Sequence, residues 1–246
     1  MMRRAENALE HLDRPVSPAD RDAALADIDR LNTWFGGYAL TLAALRRLVS
    51  DVALAQPLLV VDVGGGRGDF ARQLIHRARR LRRGVRVILV DRDADLLAAA
   101  ARRGHPNLLL VRADATALPF REGSVDIATM SLTLHHLPPD TAVASLNEMR
   151  GAARLGIIVN DLLRTRLTLV LVWIATRLLA RHPISRHDGP LSVRRAYSAA
   201  ELRALAEKAG MHAVRVERHP WFGRLMAVIA RESDLPGDVP GRDLHD

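Results

Sequence analysis

The chain contains no cysteine. Disulfide staples, thiolate nucleophiles and cysteine-ligated metals are therefore excluded. Lysine is almost missing too: Lys208 stands alone, and every other basic residue is arginine. The formal charge of +8 rests on arginines scattered from Arg3 to Arg242 rather than gathered in one block. The densest run, Arg77, Arg79, Arg80, Arg82 and Arg83, falls at the end of an expected helix, where cations suit the helix dipole. We read it as a solvated basic face rather than a phosphate-binding patch. Aromatics are scarce at 4%, which leaves little to stack on flipped bases. There is no long apolar run. Leu167 to Ala180 is interrupted by Arg177 and falls short of the roughly 20 residues that a membrane span needs. The opening MMRRAENALEHLDRP has no apolar centre behind its arginines, so no secretory signal is expected. A soluble cytoplasmic protein, monomer or homodimer, is the expectation.

What is present points to one α/β domain with additions. Hydrophobic residues make up 48% of 246 positions, enough for a core that needs no staples. Residues 1–56 read as a helical extension. Ser17-Pro18-Ala19-Asp20 is a helix start, with a capping serine, proline in the first turn and an acid behind it. Leu25, Ile28 and Leu31 follow at helical spacing, and a second helix is predicted from Leu40 to Val52. From 57 to 232 the pattern changes. The β-branched run at 58–63 suits a strand buried on both faces. Further strands are predicted at 85–90, 108–111, 125–130 and 155–159, with helices from Asp69, Ala94 and Pro139 between them. That alternation predicts a doubly wound, mostly parallel sheet with crossover helices. After a helix at 199–209, two strands at 213–218 and 225–230 have no helix between them and must pair antiparallel. The outcome is a seven-stranded sheet with a reversed final strand. Residues 162–198 form an insertion with an apolar helix, read as a helical lid, and 233–246 form a flexible tail.

The glycines of Asp62-Val63-Gly64-Gly65-Gly66-Arg67-Gly68 lie between a buried strand and a helix, where backbone must turn tightly and approach a ligand with no Cβ in the way. Asp91 ends the next strand, from which a carboxylate can hold both hydroxyls of a ribose. Asp114 follows the third strand and, beside Ala115, could accept from an adenine amine. These strand ends line one crevice, the place where open α/β sheets bind ligands. Asp62, Arg92 and Ser131 border it. The bland alternative is glycine turns with helix-capping aspartates.

In order, VVDVGGGRGD, the strand-ending Asp91, ADATALPF and VDIATMSLTLHHL resemble the class I S-adenosylmethionine-dependent methyltransferases. The nearest likeness is to the small-molecule branch that includes quinone-biosynthesis enzymes, over residues 56–232. The resemblance implies the donor, S-adenosylmethionine, with Gly64, Gly66 and Gly68 at its methionine and ribose end. His135-His136-Leu137-Pro138 occupies the position where many small-molecule O-methyltransferases carry His-Asp-Trp with a histidine base. By that likeness His135 is the candidate base and His136 the alternative, and a purely structural pair stays open. Acceptor contacts are expected from Trp34, Tyr38, Asp161, Arg164, Trp173 and His187. His182, His187 and Asp188 match no standard zinc spacing, so no metal is expected. The implied activity is methyl transfer to an apolar small molecule, most simply O-methylation of a phenolic polyketide, quinone precursor or lipid-like phenol. The alternative is a nucleic-acid methyltransferase using the arginine surface, against which no Asn/Asp-Pro-Pro-Tyr/Phe motif is found.

Overall fold

The structure, a computed structural model, describes residues 2–50, 52, 56–78 and 84–230. The tail at 233–246 and the arginines at 79, 80, 82 and 83 lie outside the described residues. The first strands and helices run β1 Leu58–Val63, α3 Asp69–Ala78, β2 Val85–Asp91, α4 Ala94–Arg103 and β3 Leu108–Arg112. They continue with β4 Val125–Ser131, α5 Pro139–Ala152, β5 Ala153–Leu162, α8 Ala199–Lys208, β6 Val214–His219 and β7 Arg224–Ala230. The strand order is β3-β2-β1-β4-β5-β7-β6. β7 pairs antiparallel with β5 (Gly156 opposite Ala230) and with β6 (Val214 opposite Ile229), while the remaining pairs are parallel. The mostly parallel sheet with its reversed final strand is therefore observed.

Both faces of the central strands β1, β4 and β5 are covered, so their residues are buried almost without alternation. One face packs Val61, Val63, Met130 and Val159 against Leu146 and Met149 of α5 and Leu202 of α8. The other packs Val60, Val87 and Ile158 against Leu42 and Leu45 of the helix Gly37–Leu48 and Leu74 of α3.

The N-terminal helices are α1 Pro18–Trp34 and α2 Gly37–Leu48. Ser17 caps α1 by accepting from the Asp20 amide at 3.1 Å, with Pro18 in the first turn. α2 starts earlier and ends earlier than the predicted 40–52, because Gly36, at φ +71°, makes the turn between the two helices. This segment is built into the core. Asn160 of β5 donates to the Gly37 carbonyl and to Thr41 Oγ1, both at 2.8 Å. Buried Arg224 of β7 donates to Asn32 Oδ1 of α1.

The insertion holds two helices, α6 Arg166–Leu179 and α7 Pro183–Arg195. Pro183, Gly189 and Pro190 are poor helix formers, yet residues 183–195 form α7. Pro183 sits in the first turn, where its missing N–H costs nothing. Pro190 is carried inside the helix.

Candidate active site

A cavity of about 890 Å³ opens at the carboxyl ends of β1, β2 and β4. Its polar end is the loop after β1. Gly64 and Gly66 adopt φ of +67° and +57°, which side chains rarely tolerate. A Cβ on Gly64 would lie 2.4 Å from Thr133, whose hydroxyl donates to the Gly64 carbonyl at 3.1 Å. Leu132, at φ +53°, is the one described non-glycine residue with positive φ, and it turns the chain from β4 toward Thr133.

Three carboxylates surround this loop. Asp62 is buried, accepts from Thr129 Oγ1 at 3.0 Å, and keeps Oδ2 without a hydrogen-bond partner. Burial raises its pKa to about 7. Asp91 accepts from the amides of Gly66 at 2.8 Å and Asp93 at 2.9 Å, so it braces the loop as well as facing the cavity. Its pKa is raised, first by burial. Asp114 is exposed, and its Oδ1 accepts from the Thr116 amide and hydroxyl, which hold its pKa low. Arg92, Ala115 and Ser131 also border the cavity. Gly68 does not. Its neighbours are Leu89, Leu108 and Ala100, and its φ of +78° serves the start of α3.

The far end is apolar. Leu25, Ile28, Leu31 and Phe35 come from the α1 side, and Leu171, Ile174 and Leu178 from α6. Tyr38 belongs to the wall and donates to Asp29 at 2.8 Å. Trp34 and Trp173 are half-exposed and do not line the cavity; the Trp173 ring lies 5.5 Å from the Arg177 guanidinium. Arg164 is buried elsewhere, donating to both oxygens of Glu201 at 2.7 Å. His187 is an exposed residue of α7 outside the wall.

The two candidate bases sit on a 3-10 turn, Leu134–His136, just after β4. His135 is buried and lines the cavity. Its Nδ1 lies 2.7 Å from Asp161 Oδ1, and its amide donates to Asp161 Oδ2 at 2.9 Å. Asp161, at the end of β5, is thus a partner of His135 rather than part of the cavity wall. Burial works to raise the Asp161 pKa, but the neighbouring His135 and the hydrogen bonds from His135 and Leu162 outweigh it and hold it low. Across the ring, His135 Nε2 lies 3.7 Å from Glu10 Oε1, a buried oxygen with no hydrogen-bond partner. His136 is partly exposed and pairs through Nδ1 with Asp13 at 2.9 Å.

Glu10 and Asp13 were invisible as site residues, since nothing in the sequence ties the N-terminal segment to a turn more than a hundred positions later. Arg195 of α7 holds both, 3.3 Å from Glu10 Oε1 and bonded to Asp13. Many arginines are committed in this way. Arg21 pairs with Asp93, Arg67 and Arg103 with Asp69, and Arg154 with Asp126, so much of the positive charge is neutralised within the fold.

Residues 60–156 match the family model described as a methyltransferase domain. The chain carries a methyltransferase domain. Over 112 residues the chain is 37% identical to a demethylmenaquinone methyltransferase of Beutenbergia cavernae, covering 45% of this chain and 43% of that protein. Over 84 residues it is 32% identical to a ubiquinone/menaquinone biosynthesis C-methyltransferase of Allorhizobium ampelinum, covering 32% and 31%. The chain therefore spans less than half the length of these curated relatives. Among solved structures, an S-adenosylmethionine-dependent methyltransferase of Aquifex aeolicus aligns with TM-score 0.52 at 18% identity, covering 75% of this chain and 88% of that one. The magnesium protoporphyrin IX methyltransferase of Synechocystis, solved with bound S-adenosylhomocysteine, aligns with TM-score 0.53 at 17% identity, covering 89% and 90%. These structural likenesses establish the fold of the methyltransferase domain.

The residues present fit that cofactor. Gly66 faces open space, with nothing closer than 3.9 Å to a Cβ built on it. Asp62 offers a buried, unsatisfied oxygen beside the same loop. No described helix is long and apolar enough to cross a membrane.

Proposed function

We propose that the protein methylates a hydroxyl-bearing aromatic small molecule of low polarity, of the quinone-precursor or phenolic-polyketide class. The observation that carries this reading is buried His135, held by Asp161 at 2.7 Å, on the wall of a cavity whose other end is apolar. Asp62, the Cβ-free backbone of the Gly64–Gly66 loop, Asp91 and Asp114 with Ala115 would hold the cofactor. When bound, S-adenosylmethionine supplies an electrophilic methyl group on a sulfonium.

The chain's own residues prepare the acceptor. A phenol with pKa near 10 is only about 0.1% ionised at neutral pH. A base that takes the proton during attack is worth roughly 10²–10⁴-fold. Asp161 fixes the tautomer with the proton on Nδ1, leaving the Nε2 lone pair as acceptor, and it stabilises the imidazolium that forms. A hydroxyl oxygen can lie within about 2.8 Å of both His135 Nε2 and Glu10 Oε1 at their separation. Exposed Trp221, Phe222 and Leu178 rim the cavity and form an apolar entrance.

Proton removal activates oxygen and, through the ring, the adjacent carbon. O-methylation follows from the first and ring methylation from the second. The names of the relatives, which include C-methyltransferases of quinone biosynthesis, support a quinol-type acceptor and carbon as an alternative target. We place the reaction in the cytoplasm. The test is incubation with isotopically labelled S-adenosylmethionine and a panel of phenols and naphthoquinols, with the labelled product located by NMR. Label transferred to structured RNA or duplex DNA but to none of the panel would overturn the proposal.

A further inference from the structure

We propose a metal-binding site, separate from the methyl-transfer chemistry, formed by His11, His187 and Asp188. His11 opens a 3-10 turn, His11–Asp13, ahead of α1, and the other two lie on α7. Their donor atoms converge. His11 Nδ1 and His187 Nδ1 are 2.9 Å apart, and Asp188 Oδ1 lies 3.2 Å from the first and 2.8 Å from the second.

No placement of protons satisfies all three contacts. With Nδ1–H on both rings, two hydrogens face each other across 2.9 Å. With a proton on one ring only, the lone pair of the other points at a carboxylate oxygen. With neither protonated, three lone pairs converge. One divalent cation accepting all three lone pairs removes the conflict. An ion about 2.0–2.1 Å from each donor sets donor separations near 2.9 Å for octahedral and 3.3 Å for tetrahedral geometry, which matches the spacing seen. Two imidazoles and a carboxylate are the donor set of first-row ions such as zinc.

The carboxylate is already fixed for the purpose. Asp188 is buried, its Oδ1 accepts from the His11 amide at 2.9 Å, and its Oδ2 accepts from the Leu12 amide at 3.1 Å. Both histidines are about half exposed, so an ion can enter from solvent. His182 takes no part, since its Nε2 faces Asp20 at 3.2 Å. The set of Glu10, His135 and His136 is a poorer trap. Its donors are 3.7 and 4.0 Å apart, and the Arg195 cation already lies 3.3 Å from Glu10. An ion at His11, His187 and Asp188 would pin the turn carrying Glu10 and Asp13 to α7, on the rim of the acceptor cavity.

The experiment is calorimetric titration of Zn²⁺ into chelator-stripped full-length protein, with Co²⁺ absorption as a second probe. One ion per chain is expected, with a higher melting temperature when Zn²⁺ is bound. His11→Gln and His187→Gln should each weaken binding by more than about tenfold, while His182→Gln binds like the wild type. Zn²⁺ should also move the ring ¹⁵N signals of His11 and His187 in the unmutated protein, which needs no variant to fold. A wild type that takes up no Zn²⁺, or a double variant that binds it undiminished, overturns the proposal. Methyl transfer can fail in either case without touching this outcome.

Discussion

Asp161 grips His135 twice, through the ring nitrogen at 2.7 Å and through the backbone amide at 2.9 Å, so the end of β5 sets both the position and the tautomer of a side chain delivered by β4. A histidine held this way has little rotational freedom left, and its second nitrogen is presented to the cavity.

Asp161→Asn tests that grip. The amide can donate to Nδ1 where the carboxylate accepted, which reverses the tautomer and turns Nε2 into a donor. Turnover should fall roughly 10²-fold or more with cofactor affinity nearly unchanged. Steady-state kinetics beside calorimetry with S-adenosylhomocysteine checks it, and unchanged turnover would make the pair structural only.

His135→Ala removes the base itself. Turnover at neutral pH should fall by about 10²-fold or more, and raising the pH should recover part of it as phenolate forms unaided. A rate ratio between mutant and wild type that stays flat with pH contradicts the assignment.

Asp91→Ala takes away an acceptor that also braces the glycine loop through the amides of Gly66 and Asp93. S-adenosylhomocysteine binding should weaken by roughly 2–3 kcal/mol. Equal affinities by titration would remove Asp91 from the cofactor site.

Asp62 predicts a pH dependence of stability in the ligand-free protein. Its pKa is raised from 3.8 to about 7 by burial. An acid whose folded pKa exceeds its unfolded one contributes stability that is complete below the unfolded value and lost as pH rises through the folded value. Relative to Asp62→Asn, the wild type should therefore lose melting temperature between about pH 4 and 7. Parallel profiles for the two proteins would refute it.

The sheet and the glycine loop at the polar end of the cavity were legible because both leave local marks. A strand buried on two faces needs a continuous β-branched run, and a loop at φ near +60° needs glycine. The acceptor end was far less legible. Tyr38 lines the cavity, whereas Trp34 and Trp173 carry the same aromatic signal and are half-exposed outside it. Arg164 reads as a cavity cation and is instead spent on Glu201. Asp161 was picked out for the wrong reason, since its partner is a protein side chain. Glu10 escaped notice because its importance lies in contacts with residues 135 and 195, and no periodicity records a contact over that separation. α7 was hidden by Pro183, Gly189 and Pro190, whose local preferences yield to the packing of Val193 and Asp188 into the interior.

The bonds from Asn160 to Gly37 and from Arg224 to Asn32 have a bearing on how the molecule is made. The second joins positions 192 apart in the chain, so at about 5–20 residues per second a ribosome takes roughly 10–40 s to deliver the partner of a helix it has already released. Helices α1 and α2 therefore complete these contacts only once β7 has been made.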